Sequence, residues 1–314
     1  MIQFSSNNGS ALNGADTVAS FQLENSSVRG RVTKLGDASI DSILKRHDYP
    51  AWAAQILGEA LALAVMVAAT VKVAGRIMVQ AEGDGPIKLL VAEARTDGGV
   101  RGYVRLNDEK WAALVENHQE VAPSVPELIG EGVMGLVIVQ DQEGTTPYQG
   151  VVSIEGNTLA ECAQTYFNQS EQIPTRVRLA VKQVEEIGGT VRWRAGGMII
   201  QQVASDKARG DTNDEWDTAR AYFDTLSDEE LTSESLPSAD LLYRLFHEEG
   251  VRLELPSQLL DSCSCSAQRL TSVLAGMPKE EVIDMAKDEG EVVADCQFCG
   301  RIYHLPLGDI LKYI

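Results

Sequence analysis

Four of the five cysteines fall in one stretch near the C-terminal end, as C-S-C-S at residues 263–266 and C-Q-F-C-G at residues 296–300. Two close thiol pairs separated by thirty residues read as a four-sulfur metal site, with Zn²⁺ the leading candidate. Zn²⁺ has no d-electron geometry of its own and accepts four thiolates tetrahedrally, so each pair supplies two sulfurs and the loop brings the second pair round the ion. Gly300 suits a tight turn after Cys299 whose backbone N–H groups face the sulfurs. A four-thiolate shell leaves no open position, which makes the metal structural rather than catalytic. Thiolates are also what oxidants attack, and disulfide formation would remove the ligands and expel the metal. A C-x-x-C disulfide such as Cys296–Cys299 closes easily, whereas a C-x-C disulfide such as Cys263–Cys265 closes a smaller, more strained ring. Cys296 and Cys299 are therefore expected to pair first. The fifth cysteine, Cys162, lies in L-A-E-C-A-Q-T-Y-F on an amphipathic helix and reads as a small buried hydrophobe.

The region that must hold these thiols is small. Residues 256–314 carry modest apolar content, and a piece of that size rarely folds without a staple. Structural zinc supplies on the order of 10–16 kcal/mol of apparent binding energy in small domains, so metal loss should unfold it. Before it, residues 211–234 hold nine acids and one base, Arg220. Trp216, Ala219, Phe223 and Leu226 nevertheless share one helical face, and a second helical piece at 239–248 carries Leu241, Leu242, Leu245 and Phe246. Such self-repelling helices hold only by docking an apolar stripe elsewhere, and they belong at the low end of local stability. An ordinary surface helix pair fits that composition equally well.

The remainder, 1–205, reads as an α+β core. Residues 1–16 are polar and form a flexible tail. Strands are expected at 18–23, 28–35, 76–81, 87–95, 100–106, 135–140, 148–154, 175–184 and 191–202. Helices are expected after Asp37, after Pro50 as far as about residue 74, and at 108–117 and 158–168. The glycines between the middle strands lack phosphate-loop spacing and read as hairpin turns.

The charge of −19 argues against a general nucleic-acid binder. The first basic residue is Arg29, so no signal peptide is expected, and the apolar run 61–71 between Glu59 and Lys72 is too short to span a bilayer. A soluble cytoplasmic protein, away from membranes, also suits thiols that must stay reduced.

The cysteine pattern, with P-K-E-E-V and D-E-G-E-V-V-A-D-C between the pairs, resembles the switch domain of the redox-regulated thirty-three-kilodalton heat-shock chaperone family. S-E-Q-I-P-T-R-V at 170–177, G-G-M-I-I-Q at 196–201, Y-R-L-F-H-E-E at 243–249 and V-R-G-Y-V-R at 100–105 fit the same pattern, and the resemblance runs from about residue 17. The polar N-terminal extension and the heavily acidic connecting segment depart from it. The resemblance implies three parts: a core at 1–205, an acidic helical linker at 206–255 and a zinc redox-switch domain at 256–314. It implies a holdase, not an enzyme. Reduced, it is inactive and holds one Zn²⁺ per chain on Cys263, Cys265, Cys296 and Cys299. Peroxide with heat, or hypochlorous acid, forms the disulfides Cys263–Cys265 and Cys296–Cys299. Zinc then leaves, switch and linker unfold, and the chain becomes a homodimer that binds unfolding client proteins without ATP and later passes them to ATP-driven foldase chaperones. Trp216, Phe223, Leu242, Leu245 and Phe246 are the expected client-binding surface, since releasing an amphipathic helix exposes both its own face and the one it covered.

Other chemistry fits less well. A zinc ribbon binding nucleic acid or a protein complex is compatible with two cysteine knuckles, but nine acids outnumber Arg269, Lys279, Lys287, Arg301 and Lys312 in the last segment. A zinc deaminase needs H-x-E upstream of P-C-x-x-C; His247 has the wrong spacing and no proline precedes Cys296. His47, His118, His247 and His304 are scattered and form no H-E-x-x-H. No nucleophile–base pair stands out. A thiol oxidoreductase at Cys296 and Cys299 lacks the βαβ pattern around the motif.

Overall fold

Three strands open the chain: Ile2–Phe4 (β1), Thr17–Leu23 (β2) and Val28–Leu35 (β3). The computed structural model describes residues 14–118, 121–142, 144–186, 188–203, 213–286 and 290–313 in full and 2–4 as backbone. Most of the expected N-terminal tail thus lies outside the described residues. Its end does not behave as a tail: Asp16 is buried, and its carboxylate accepts hydrogen bonds from Gly36 N (2.8 Å), Ala38 N (3.0 Å) and Ser39 Oγ. These bonds shape a π-helical turn, Asp37–Asp41, that leads into Ser42–His47 (α1).

Pro50 then starts Ala51–Ala68 (α2) from an extended backbone, as its fixed φ favours. This helix is apolar on nearly every face because sheets pack on both sides of it. By length and composition it is apolar enough to cross a membrane, a test the run 61–71 alone would not pass, but fourteen of its residues are buried in the protein core. It ends at Ala68, short of the expected 74. Thr70 and Val71 N–H groups turn back to Val67 and Ala68 carbonyls at 2.9 and 3.0 Å, where β-branched residues disfavour another α-turn.

Next come Gly75–Gly83 (β4), Ile87–Arg95 (β5) and Gly99–Leu106 (β6), joined by hairpin turns as expected. Gly98 has φ +93°, a conformation that favours glycine. Asn107 caps Asp108–Asn117 (α3), and Ser124 with Glu127 makes a capping box for Val125–Ile129 (α4), which periodicity did not reveal. Gly132–Gln140 (β7), Tyr148–Ser153 (β8), Leu159–Gln169 (α5), Thr175–Glu185 (β9) and Val191–Gln202 (β10) come after it. The acidic segment forms Asn213–Phe223 (α6), Asp228–Thr232 (α7) and Ser238–Phe246 (α8). Three short strands, Val251–Leu253 (β11), Ser257–Gln258 (β12) and Leu260–Asp261 (β13), complete the first of two compact units, residues 1–261.

One sheet runs β1-β11-β2-β3-β10-β9, with β12 also on β2; the other runs β13-β6-β5-β4-β7-β8. Helix α2 packs on strands of both sheets. The far face of the first sheet is covered by α6–α8 through a second apolar cluster that includes Phe21, Val32, Met198 and Ile200. The order of layers is therefore α6–α8, sheet, α2, sheet. This is a mixed α+β architecture.

The second unit, residues 262–314, contains Ala267–Leu274 (α9), Lys279–Ala286 (α10), Glu291–Asp295 (β14), Ile302–Pro306 (β15) and Leu307–Ile310 (α11). Its buried apolar cluster is Val282, Ala286, Val292, Leu305 and Ile310. Val273 and Ile302 are 68% and 62% exposed, so apolar burial here is meagre.

Candidate metal centre

Each thiol pair is held by a separate local device. Cys263 and Cys265 lie just before α9, whose N-cap Ser266 accepts from Arg269 N at 3.2 Å. The Arg269 guanidinium reaches back to the Ser264 carbonyl (2.8 Å) and hydroxyl (2.7 Å) and fixes the C-S-C loop. Cys296 and Cys299 occupy the turn between β14 and β15, which pair antiparallel. Cys296 N donates to the Arg301 carbonyl at 2.9 Å, and Cys299 N and Gly300 N both donate to the Cys296 carbonyl. Gly300 takes φ +67°. Its own amide is spent on a carbonyl, while the Phe298 and Cys299 backbone N–H groups face the Cys296 sulfur and that of Arg301 faces the Cys299 sulfur, as the sequence led one to expect of this turn. The tight turn itself is there.

These devices bring all four Sγ atoms within 4.8 Å of one another. Cys263 and Cys296 sulfurs are 3.7 Å apart, and Cys265 and Cys299 sulfurs 3.4 Å. Four sulfurs about 2.3 Å from a tetrahedral Zn²⁺ would stand about 3.8 Å from each other. The donor set and its spacing fit such an ion. Among the described residues this is the one cluster of three or more potential ligands, and no histidine or carboxylate joins it.

The sulfurs titrate as a set. Burial pushes Cys265 up, but hydrogen bonds from Tyr303 Oη, at 3.0 Å, and from neighbouring sulfurs outweigh it and hold the thiol down at about 7. Burial, then the adjacent sulfurs, pushes Cys299 up to about 12. The Cys265 thiolate forms readily, and negative charge on Cys296 and Cys299 is resisted until a cation is present. Cys162 stands apart: it is fully buried on α5, and burial pushes its thiol up to about 11. That is an unreactive environment.

The five apolar residues expected to meet clients lie together, far from bare. Trp216, Phe223, Leu242, Leu245 and Phe246 are all buried against the first sheet. Phe246 stacks on Phe21 with centroids 5.9 Å apart. Polar clamps surround them. Lys34 Nζ donates to the Glu230 and Ser233 carbonyls at 2.8 and 2.7 Å, Arg194 bridges Asp37 and Glu234, and Arg178 pairs with Asp228. Sequence reasoning missed the receiving face of Phe21, Val32, Met198 and Ile200. The available signal was apolar alternation in β2, β3 and β10 on the side not taken by α2.

The family described as Hsp33 protein matches residues 16–306. A 33 kDa chaperonin of Caulobacter vibrioides is 47% identical over 290 residues, covering 92% of this chain and 94% of the relative. One from Escherichia coli is 33% identical over 297 residues, covering 95% and 94%. The crystal structure of a 33 kDa chaperonin from Thermotoga maritima superposes with a TM-score of 0.71 at 22% identity over 95% of this chain and 97% of that one, a likeness of fold. With a matched span from β2 to β15 and a four-cysteine cluster at its end, the chain belongs to the Hsp33 family of chaperones.

Proposed function

We propose that this chain is a redox-controlled holdase whose four cysteines bind Zn²⁺ when reduced and form disulfides under oxidative stress. The observation that carries the reading is the gathering of four sulfurs within 4.8 Å in a unit whose buried apolar cluster has five residues. Bound Zn²⁺ would cross-link the C-S-C loop to the β14–β15 turn and keep the thiolates deprotonated. Each disulfide takes two electrons from two thiolates and gives them to one peroxide, which leaves as two hydroxide ions. The pairing decides the outcome. Cys263–Cys265 and Cys296–Cys299 bonds lie within the two halves and leave them untied. A Cys263–Cys296 bond would staple them together. The proposed pairs therefore free residues 262–314, and the unfolding extends to the acidic helices 213–246.

Release of α6–α8 would uncover Trp216, Phe223, Leu242, Leu245 and Phe246 together with the sheet face beneath. Apolar surface of that kind binds non-native chains. The charge of −19 would keep the loaded complex dispersed. The functional division into core, linker (206–255) and switch (256–314), a cytoplasmic setting, an oxidised homodimer and hand-over to ATP-driven foldases complete the reading, by likeness to the family. Client holding needs no catalytic group, and none is assigned.

The test tracks metal release and suppression of client aggregation in parallel, with peroxide at two temperatures. Both should rise together at the higher temperature, and Cys296→Ser should break the coupling. Metal release without any suppression of aggregation sinks the proposal. Polar replacement of Leu245 and Phe246 should change holdase activity, and unchanged activity in a folded variant would remove them from the client surface.

A further inference from the structure

A cavity of about 220 Å³ opens between the two sheets of the first unit at the C-terminal end of α2. One wall is β3. Arg29 and Arg31, two residues apart on a strand, point to the same side. Arg29 is exposed, whereas Arg31 is 7% exposed. The Arg31 guanidinium donates to Gln201 Oε1 at 3.2 Å, and Gln201 is itself held by Thr175 Oγ1 at 3.4 Å. That is one bond for a group with five donors. Its Nε is buried without any acceptor, and Arg31 forms no ion pair among the described residues. Burial, helped by Arg29 and only partly opposed by the Glu254 carboxylate, pulls its pKa down to about 10.

One oxygen of the carboxylate that shares the cavity, Glu171 Oε1, is already engaged. Glu171 accepts from Tyr148 Oη at 2.9 Å and from Tyr166 Oη at 3.0 Å. The floor is apolar: Met66, Val67, Leu136, Phe167 and Ile199. A buried arginine ordinarily has an anionic partner, because an unpaired charge in low dielectric is costly. Here no carboxylate comes within ion-pair distance of Arg31 among the described residues, Glu254 acting on it only from further off, and apolar surface lies alongside. The volume equals roughly seven waters, enough for one head group and a short chain or ring.

We propose that this cavity binds a small amphipathic carboxylate, with its head on Arg31 and Arg29 and its apolar body on Met66, Phe167 and Ile199. A carboxylate matches the planar guanidinium and supplies the acceptors it lacks. The site lies in the first unit, is built from none of the cysteines and stands independently of the redox reading.

The test titrates the reduced, zinc-loaded full chain with sodium octanoate by calorimetry, with octan-1-ol as tail-only and acetate as head-only control. Octanoate should give saturable one-site binding below about 10 mM, and both controls should bind at least about tenfold more weakly. Arg31→Met should weaken octanoate about tenfold or more, and Arg29→Gln a few-fold. Nuclear Overhauser contacts from the octanoate chain to Met66 and Phe167 would place the ligand without any variant, should Arg31→Met fail to fold. No saturable heat, affinity unchanged in a folded Arg31→Met, or contacts confined to other residues would each overturn the assignment.

Discussion

Glu59 is a carboxylate on a helix otherwise made to be buried. It faces cavities lined also by Gln55 of α2, Arg178 of β9 and Asp228 of α7. Burial, opposed by a hydrogen bond with Gln55 and aided by Asp228, pushes its carboxyl up to about 7 from an ordinary 4.5. The folded state then holds the proton more tightly than the unfolded chain. Stability from this group is fully present below pH 4.5 and is lost as pH rises towards and through 7. Discounted for solvent reaching the cavity, the loss by pH 8 is on the order of 1–2 kcal/mol. Glu59→Gln should remove that slope and raise the melting temperature of the first unit at pH 8 but not at pH 4.5. Melting curves of the variant that track the parent at both pH values would show a carboxylate that ionises normally. In the sequence, Glu59 only marks the edge of an apolar run. Its importance, like that of Arg31, comes from partners far along the chain. The cysteines were legible because two local spacings and one loop already specify a tetrahedral donor set.

At the scale of elements, α7 lies close enough on β10 to leave no room for a side chain at Gly196. A Cβ placed on Gly196 would lie 2.2 Å from the Leu231 carbonyl oxygen and 3.1 Å from Leu231 Cβ. A glycine is needed here for approach, not for φ. The same backbone carries the Lys34 clamp on Glu230 and Ser233, so displacing α7 should loosen α6 and α8 with it. Gly196→Val should therefore give holdase activity in the reduced, zinc-loaded chain, with unfolding free energy lowered by about 1–3 kcal/mol. Aggregation suppression without oxidant is the measurement. A folded variant as inactive as the parent would mean that these helices are not the cover. The apolar stripes of α6 and α8 were readable from their 3.6-residue period, and β2 to β10 from alternation and turn residues. The short strands β11, β12 and β13 were not, because two or three residues hold a strand only through distant partners in β2 and β6. For that reason Ser257–Gln258 and Leu260–Asp261 fall in the first unit, although composition alone groups them with the cysteine-bearing C-terminal segment.

The whole molecule joins two units stabilised by different means. In residues 1–261 a long helix is enclosed by sheets, and two large apolar clusters share the load. In residues 262–314 five buried apolar side chains must hold three short helices and a two-stranded hairpin. Apolar burial on that scale does not offset the chain entropy of the segment, and on the proposed reading a metal held by the four cysteines supplies the deciding term. This separates metal loss from oxidation. A strong chelator with excess reductant, and no oxidant, should abolish amide-exchange protection across α10 and β14–β15 while leaving α2 and its flanking sheets protected. Restoring zinc should restore protection. If α6–α8 stay protected after chelation, the uncovering of the client surface needs the disulfides themselves, and if they open, loss of the cross-link alone is the trigger. Full protection of residues 290–313 in the metal-free, reduced chain would instead place the stability of this unit in contacts other than the four sulfurs, and the switch would have no lever.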